Sequence, residues 1–306
     1  MRSGINLQRV AVFCETVRQG SVRAAADILN VAPSVVSRHI AQLEKELGMA
    51  LMERHRRGVK VTEAGLRVLQ FQQEQLAQEE ALFSELQSLN GLHQGQVRLV
   101  VGEGFVSDLM SAPLTSFRQR YPGLSFSVRL AGTNEVLREI LDDSAHIGLV
   151  YYPPADPHIR VHARVPQPLC VIVPAGHPLC DAPPPLTMAQ LQGYALAVME
   201  DAYGTRHLLQ RAEQETQVHF QPCLTTNSIS VLRRFVLEGM GLAFLPAFSI
   251  ASELGSGELL ALPVASKVLQ EAEAQLITRL GRQLPPGAQR LLQHLVRSMG
   301  AFSGGQ

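Results

Sequence analysis

The side chains best suited to recognition chemistry lie between Pro33 and Lys60. Val36, Ile40, Leu43 and Leu47 recur at spacings of four, three and four, which on a helix makes one buried stripe. That stripe leaves Ser34, Val35, Arg38, His39 and Gln42 outside it, with Ser37 at its border. Small hydroxyls, a methyl-bearing side chain, an arginine and a glutamine near a helix start can make hydrogen bonds and methyl contacts to base edges in a major groove. The run Arg54-His55-Arg56-Arg57-Gly58-Val59-Lys60 follows, with Gly58 permitting a turn. A short hairpin there would set Arg54, Arg56, Arg57 and Lys60 against the phosphates beside that groove. Any two amphipathic helices with polar outer faces share the first feature. The basic run and the architecture downstream separate the DNA reading from that plainer one.

These groups need two short helices across a tight connection. Gln19-Gly20-Ser21 is a polar stop at which Ser21 can cap a new helix, and Ala24-Ala25-Ala26 keep that helix thin enough to pack closely. Asn30-Val31-Ala32 turns the chain, and Pro33 suits a first helical turn, where the missing N–H would be unpaired anyway. Residues 7 to 65 resemble the winged helix-turn-helix of the LysR-type transcriptional regulators. The resemblance rests on Leu7-Gln8-Arg9-Val10 with Phe13, Gly20-Ser21, Ala24-Ala25-Ala26, Val31 to Ser34, Val36-Ser37-Arg38, Leu43 to Gly48 and Val61-Thr62-Glu63-Ala64-Gly65. Val22 stands where the family commonly has an aromatic, Ala32 where it has a serine cap, and Met52 where it has phenylalanine.

The 306 residues suggest two or three domains. Net charge is zero, yet through Val61 there are ten Lys+Arg against five Asp+Glu, a difference of plus five. The head is basic and the remainder offsets it. No apolar run approaches the roughly 20 residues that cross a bilayer, so the chain is expected to be soluble and cytoplasmic, with no membrane partner. Val10 to Cys14 faintly resembles a lipoprotein cleavage site, but Arg9 interrupts it and Val10, Phe13 and Val17 fit a helix stripe. The four cysteines form no C-x-x-C pair and are expected to be reduced, mostly buried thiols.

From Thr62 to about Leu89 the sequence predicts one long helix. Leu69, Leu76 and Phe83 repeat every seven residues beside Val68, Leu82, Leu86 and Leu89, a seam that fits either a second copy or the helix's own domain. Homodimerisation is the expectation, since DNA half-sites are matched by protein symmetry. Asn90-Gly91 ends the helix. Beyond Gln96 the rhythm alternates. Strands are expected at 97–101, 125–130, 147–150, 169–174, 195–198, 218–224, 242–245 and 275–278, and helices at 106–120, 134–142, 205–214, 230–238 and 286–299. This βαβ order predicts mostly parallel sheets in two lobes, with a ligand cleft between them.

The LysR-type resemblance continues through Phe117 to Pro122, Val173 to Leu179 and Val236 to Pro246, so it covers nearly the whole chain. It implies an α+β multidomain protein. An all-α winged helix-turn-helix at 5–62 and a linker helix at 63–91 lead to a two-lobed α/β, periplasmic-binding-protein-like effector domain at 95–300. Lobe I would take 95–165 and 268–300, and lobe II 166–267. The resemblance also implies a dimer or tetramer on a double-stranded operator, a small-molecule effector and no cofactor. By family position the cleft residues would be Glu103, Gly104, Phe105, Thr133, Asn134, Tyr203, Thr205, Arg206, Asn227 and Ser228. Helix N-termini and hydroxyls there favour an anion, whereas Glu103 favours a cationic or hydroxyl group. His146 stands where the family usually has aspartate, so capping by that carboxylate would be lost.

Two other classes of protein share parts of this pattern. Gly102-Glu103-Gly104-Phe105-Val106-Ser107 resembles a dinucleotide turn, but Ser107 replaces the third glycine and no acid follows the next strand at Leu130. The sequence has no G-x-S-x-G, H-E-x-x-H or phosphate loop and its histidines are scattered, so neither an enzyme nor a metal site is expected. An exported solute-binding protein would share the cleft but has no use for a basic head.

Overall fold

The computed structural model describes residues 4–55, 58–89 and 94–302, and within them not the side chains of 54, 55, 58, 88 and 89. The chain forms two compact units, Met1–Glu80 and Ala81–Gln306.

In the first unit α1 (Leu7–Gln19), α2 (Val22–Leu29) and α3 (Pro33–Leu47) are short because each has a built stop. Gly20 and Gly48 close α1 and α3 at φ of 67° and 68°, a conformation that glycine adopts without a Cβ penalty, and Asn30 does the same for α2. Ser21 accepts the Ala24 N–H at 3.0 Å, the cap read from sequence. Ala32 gives α3 no side-chain cap, and Pro33 supplies the first turn. Val10, Phe13, Ala26, Val36, Ile40, Leu43, Leu51 and Met52 make the core, with Leu47 half-buried at its edge. Met52 therefore fills the place of the family's phenylalanine with another apolar side chain. The wing is the antiparallel pair β1 (Met52–His55) and β2 (Gly58–Val61). Thr62 then starts α4 (Glu63–Leu89) by accepting the Gly65 N–H at 3.1 Å. A Cβ on Gly65 would lie 2.1 Å from the Leu51 carbonyl, so only glycine lets α4 seat here. Val68, Leu69 and Phe71 of α4 pack on the head core, while Leu76, Leu82, Phe83 and Leu86 are exposed.

In the second unit, which takes in the last turns of α4, the chain runs through β3 (Gly95–Val101), α5 (Val106–Ser111), α6 (Pro113–Arg120), β4 (Leu124–Leu130), α7 (Thr133–Leu141), β5 (Ile147–Tyr151) and β6 (Ile159–Pro166). The chain then builds a second sheet from β7 (Leu169–Pro174), β8 (Leu196–Met199), α8 (Gly204–Thr216), β9 (Leu224–Thr226), α9 (Ile229–Leu237), β10 (Leu242–Pro246), α10 (Ala251–Ser256), β11 (Leu259–Leu262) and α11 (Lys267–Gln270). It returns through β12 (Glu273–Arg279) and α12 (Pro286–Ser298). The sheet orders are β4-β3-β5-β12-β6 and β11-β7-β10-β8-β9. Two segments cross between the lobes, at 167–168 and 271–272, and they are tied by Gln167 N–H to Ala272 O at 2.8 Å.

Three sequence expectations are corrected. The sheets are mixed, because the returning strand β12 runs antiparallel to both β5 and β6, and β7 antiparallel to β10 and β11. The helix expected at 106–120 is two, since Pro113 has no N–H to donate and holds Ala112 at φ −138°, outside the helical region. The strand expected at 218–224 is only β9, because Pro222 cannot donate to a ladder and the Phe220 N–H goes to Glu213 at 2.8 Å.

His146 has its own role. Its Nδ1 accepts the Arg98 N–H at 3.1 Å while its backbone N–H donates to Arg98 O at 2.9 Å, so ring and main chain together pin β3 beside the start of β5. The cysteines are less buried than expected. Cys14, Cys170 and Cys180 are half-buried and Cys223 is exposed. Burial pushes the Cys14 thiol up to about 11, and raises that of Cys170, which keeps both as unreactive thiols at neutral pH.

Candidate functional site

On the head, Ser34, Arg38 and Gln42 follow one another at four-residue spacing along α3, and all three are exposed. Val35 and Ser37 are half-buried, and so is His39, whose Nδ1 is buried with no hydrogen-bond partner. His39 is thus drawn toward the packing and away from the outer face that its sequence position suggested. Lys60 is exposed on β2. Arg54 lies on β1 with its side chain outside the described residues, and Arg56 and Arg57 fall outside them altogether.

Between the lobes the backbones come into direct contact. The Thr133 N–H donates to Ala202 O at 3.0 Å, and the Gly204 N–H donates back to Thr133 Oγ1 at 2.9 Å. Thr133 Oγ1 itself points its proton at Tyr151 O, 3.4 Å away. This approach requires glycine twice: a Cβ would sit 2.9 Å from Ala202 O at Gly132 and 2.3 Å from Tyr151 O at Gly204. Thr133→Val would keep the shape but leave the buried Gly204 N–H without its acceptor. A loss of about 1–3 kcal/mol in effector-domain stability is expected from urea unfolding of the full chain. An unchanged midpoint would show that this bond contributes nothing.

A second contact joins lobe I to the start of α9. One oxygen of Glu103 accepts from Ser228 Oγ at 2.9 Å, Ser230 N at 3.2 Å and Ser230 Oγ at 3.3 Å, and the other from Ile229 N at 2.6 Å. Gly104 makes room for it, since a Cβ there would lie 3.3 Å from Ile229 Cδ1 and 3.4 Å from Ser249 Cβ. Phe105 stacks near Phe248 across the cleft, ring centres 4.8 Å apart.

These contacts enclose a cavity of about 40 Å³ whose wall is mainly apolar, including Val136, Val150, Tyr151, Met199, Ile229, Pro246 and Phe248. Glu103, Gly104, Phe105, Thr133, Tyr203 and Thr205 also reach it. Thr205 Oγ1 is buried there with no hydrogen-bond partner. Burial first, then the negative charge of Glu103, Glu200 and Glu135, raises the Tyr203 phenol above its ordinary range. It therefore stays protonated at neutral pH and donates to Asn227 O at 3.0 Å.

Sequence comparison matches residues 7–66 to the bacterial regulatory helix-turn-helix protein, lysR family, and residues 90–300 to the LysR substrate binding domain. The chain belongs to the LysR family. The transcriptional activator CmpR of Synechocystis sp. is 28% identical over 292 residues, 94% of either chain. Full-length CbnR, solved in complex with its target DNA, superposes with a TM-score of 0.55 at 17% identity, covering 96% of this chain and 99% of that one. The regulatory domain of Synechocystis CcmR in complex with 2-PG gives a TM-score of 0.60 at 22% identity, covering 68% of this chain and 98% of that one. The winged head and two-lobed effector domain expected from the sequence are therefore those of a LysR-type transcriptional regulator.

Of the ten cleft residues drawn from family position, the structure brings six to the cavity wall and places four off it. Asn134 and Asn227 are exposed. Ser228 spends its hydroxyl on Glu103. Arg206 faces its own surroundings, with Nε 3.6 Å from Asp201 and Nη1 3.6 Å from Glu213 on the same helix. As to the two ligand preferences left open at Glu103, the structure shows that its carboxylate accepts from the hydroxyls and N–H groups at the start of α9. Sequence reasoning missed Tyr151, Met199, Pro246 and Phe248, which carry no polar signal and come from strand ends far apart in the chain. Among the described residues no helix is long and apolar enough to cross a membrane, and no cluster of His, Cys, Asp or Glu could hold a metal.

Proposed function

We propose that this LysR-family regulator reads a double-stranded operator in the cytoplasm with α3 in the major groove and Lys60, Arg54, Arg56 and Arg57 on phosphates. It acts as a homo-oligomer, dimer or tetramer, without cofactor or catalytic activity. Its small-molecule effector enters the interlobe cavity. The observation that carries the reading is the exposed line Ser34, Arg38, Gln42 on a helix held by its own core, in one chain with a two-lobed cavity. Two structures of the same fold support it: CbnR was solved on its target DNA and the CcmR regulatory domain with 2-PG. An effector that prefers one arrangement of the lobes would shift how the heads engage DNA by linkage.

The test selects bound fragments from random DNA with the full chain and footprints the winners. Two protected half-sites one helical turn, about 10 base pairs, or a multiple apart are expected. Absence of any sequence preference would end the reading.

The apolar face of α4 is the proposed oligomer seam, as Leu76 is 54% and Phe83 66% exposed. Leu76→Glu with Phe83→Glu should lower the sedimentation mass and weaken operator binding at least about tenfold, because each head then binds one half-site alone. An unchanged mass would place the seam elsewhere.

A further inference from the structure

The N-terminus of α9 is an anion-binding arrangement whose anion is supplied by the protein itself. Two backbone N–H groups, of Ile229 and Ser230, and two hydroxyls, of Ser228 and Ser230, converge on the Glu103 carboxylate at 2.6 to 3.3 Å. Unpaired N–H groups and the helix dipole favour negative charge there, and the donors of a helix start are otherwise unmatched. Glu103 belongs to lobe I and α9 to lobe II, so the bonds span the cleft. The loop that carries Glu103 is shaped for this contact, since Gly104 lies against Ile229 and Ser249 with room for no larger side chain unless the neighbours shift. On the wall of the same cavity Thr205 is 9% exposed and its buried Oγ1 has no hydrogen-bond partner, so polar capacity beyond that used by Glu103 is available to an incoming molecule.

We propose that Glu103 is an internal ligand of the cleft: it latches lobe I onto α9, and an effector bearing a carboxylate or phosphate enters by displacing it from the Ser228, Ile229 and Ser230 donors. The latch stands on geometry alone. Displacement by an effector rests on the effector-cleft reading given above.

Several consequences follow from the positions of the atoms. A cavity of about 40 Å³ holds no metabolite, so an entering molecule must break contacts between the lobes. Of those contacts, the Glu103 bonds are the ones an oxyanion can replace in kind, because its oxygens can accept from the same four groups. The Thr133 N–H to Ala202 O bond is backbone to backbone, and the Gly204 N–H has a neutral hydroxyl, Thr133 Oγ1, as its acceptor, so only at Glu103 would an incoming oxyanion replace a carboxylate already seated on its donors. Effector affinity would then be reduced by the equilibrium of the latch itself, and removing the carboxylate would raise the affinity of the vacated donors for a free anion.

The test uses the full chain and sodium formate, the smallest carboxylate, against sodium chloride at equal ionic strength. Glu103→Ala should melt below wild type, and formate should restore part of that loss while leaving wild type unmoved. Calorimetric titration should show formate binding to Glu103→Ala at least about tenfold more tightly than to wild type, since no latch competes. Adding Ser228→Ala to that variant should reduce the gain, because one of the four donors is gone. Inorganic phosphate repeats the titration with a larger oxyanion. If Glu103→Ala does not fold, Glu103→Gln keeps the side-chain shape without the charge, and a smaller gain in formate affinity, at least about threefold, is expected of it. Equal formate affinity in wild type and variant, or equal melting shifts in both, overturns the proposal. Formate rescue in a protein whose operator binding answers to no metabolite would leave the latch standing and remove the effector reading instead.

Discussion

Gly204→Val should abolish the response of operator binding to any cleft effector and lower the stability of the effector domain. A Cβ at this position would lie 2.3 Å from Tyr151 O and 3.2 Å from Tyr152 O, and both are backbone atoms that no rotamer change can clear. The lobes must separate or the strand end at Tyr151 must shift, and the Gly204 N–H then loses Thr133 Oγ1. Overpacking of this kind costs about 1–3 kcal/mol, with more possible where backbone is involved. Gly255→Ala is the control, since it sits within α10 with nothing within 4 Å of its Cβ. Urea unfolding should separate the two variants, and operator binding without effector should stay within about 1 kcal/mol of wild type in both, because the head has its own core. A Gly204→Val protein that unfolds and responds like the Gly255→Ala control would show that the lobes do not meet here when they function.

Arg38→Ala should weaken binding to the selected operator by about 1–3 kcal/mol, roughly 5- to 150-fold, and leave binding to unrelated DNA nearly intact. Arg38 is exposed on the outer face of α3, flanked by Ser34 and Gln42 one turn away on either side, where a guanidinium can pair with a guanine edge. The comparison of specific with unrelated DNA at fixed salt decides the role, since phosphate contacts carry most of the salt dependence and little of the sequence preference. An equal loss on both DNAs would make Arg38 a phosphate clamp.

The head was legible in the sequence because its signals are local. The cap at Ser21, the stop at Gly20, the proline at the first turn of α3 and the stripe Val36, Ile40, Leu43 each concern residues within one or two helical turns, and the structure has all of them. The alternating strands and helices of the effector domain were legible for the same reason where apolar runs were continuous, as in β5 and β10, whose residues are all buried. Edge strands were not. β6 reads Ile159-Arg-Val-His-Ala-Arg-Val-Pro166 and is mostly part-exposed, so its pattern is weak, and only pairing with the returning β12 makes it a strand. That pairing joins residues more than a hundred positions apart, which no short-range periodicity records.

The same limit applied to the cleft. Sequence order and family resemblance named Glu103, Thr133 and Thr205, but left open whether the Glu103 carboxylate favours a cationic or hydroxyl-bearing ligand or stands against an anion. The task of a carboxylate depends on which donors surround it, and those belong to Ser228, Ile229 and Ser230, over 120 residues further along the chain. Sequence by itself determined the DNA-reading head, the long helix and the two-lobed class, because caps, stops and periodicity are local properties of the chain. Only tertiary structure decided that Arg206 turns to Asp201 and Glu213, that apolar Phe248 and Met199 wall the cavity, and that the helix start expected to await an anion already holds one. Those outcomes depend on the approach of two lobes, which the spacing of residues along a chain does not encode.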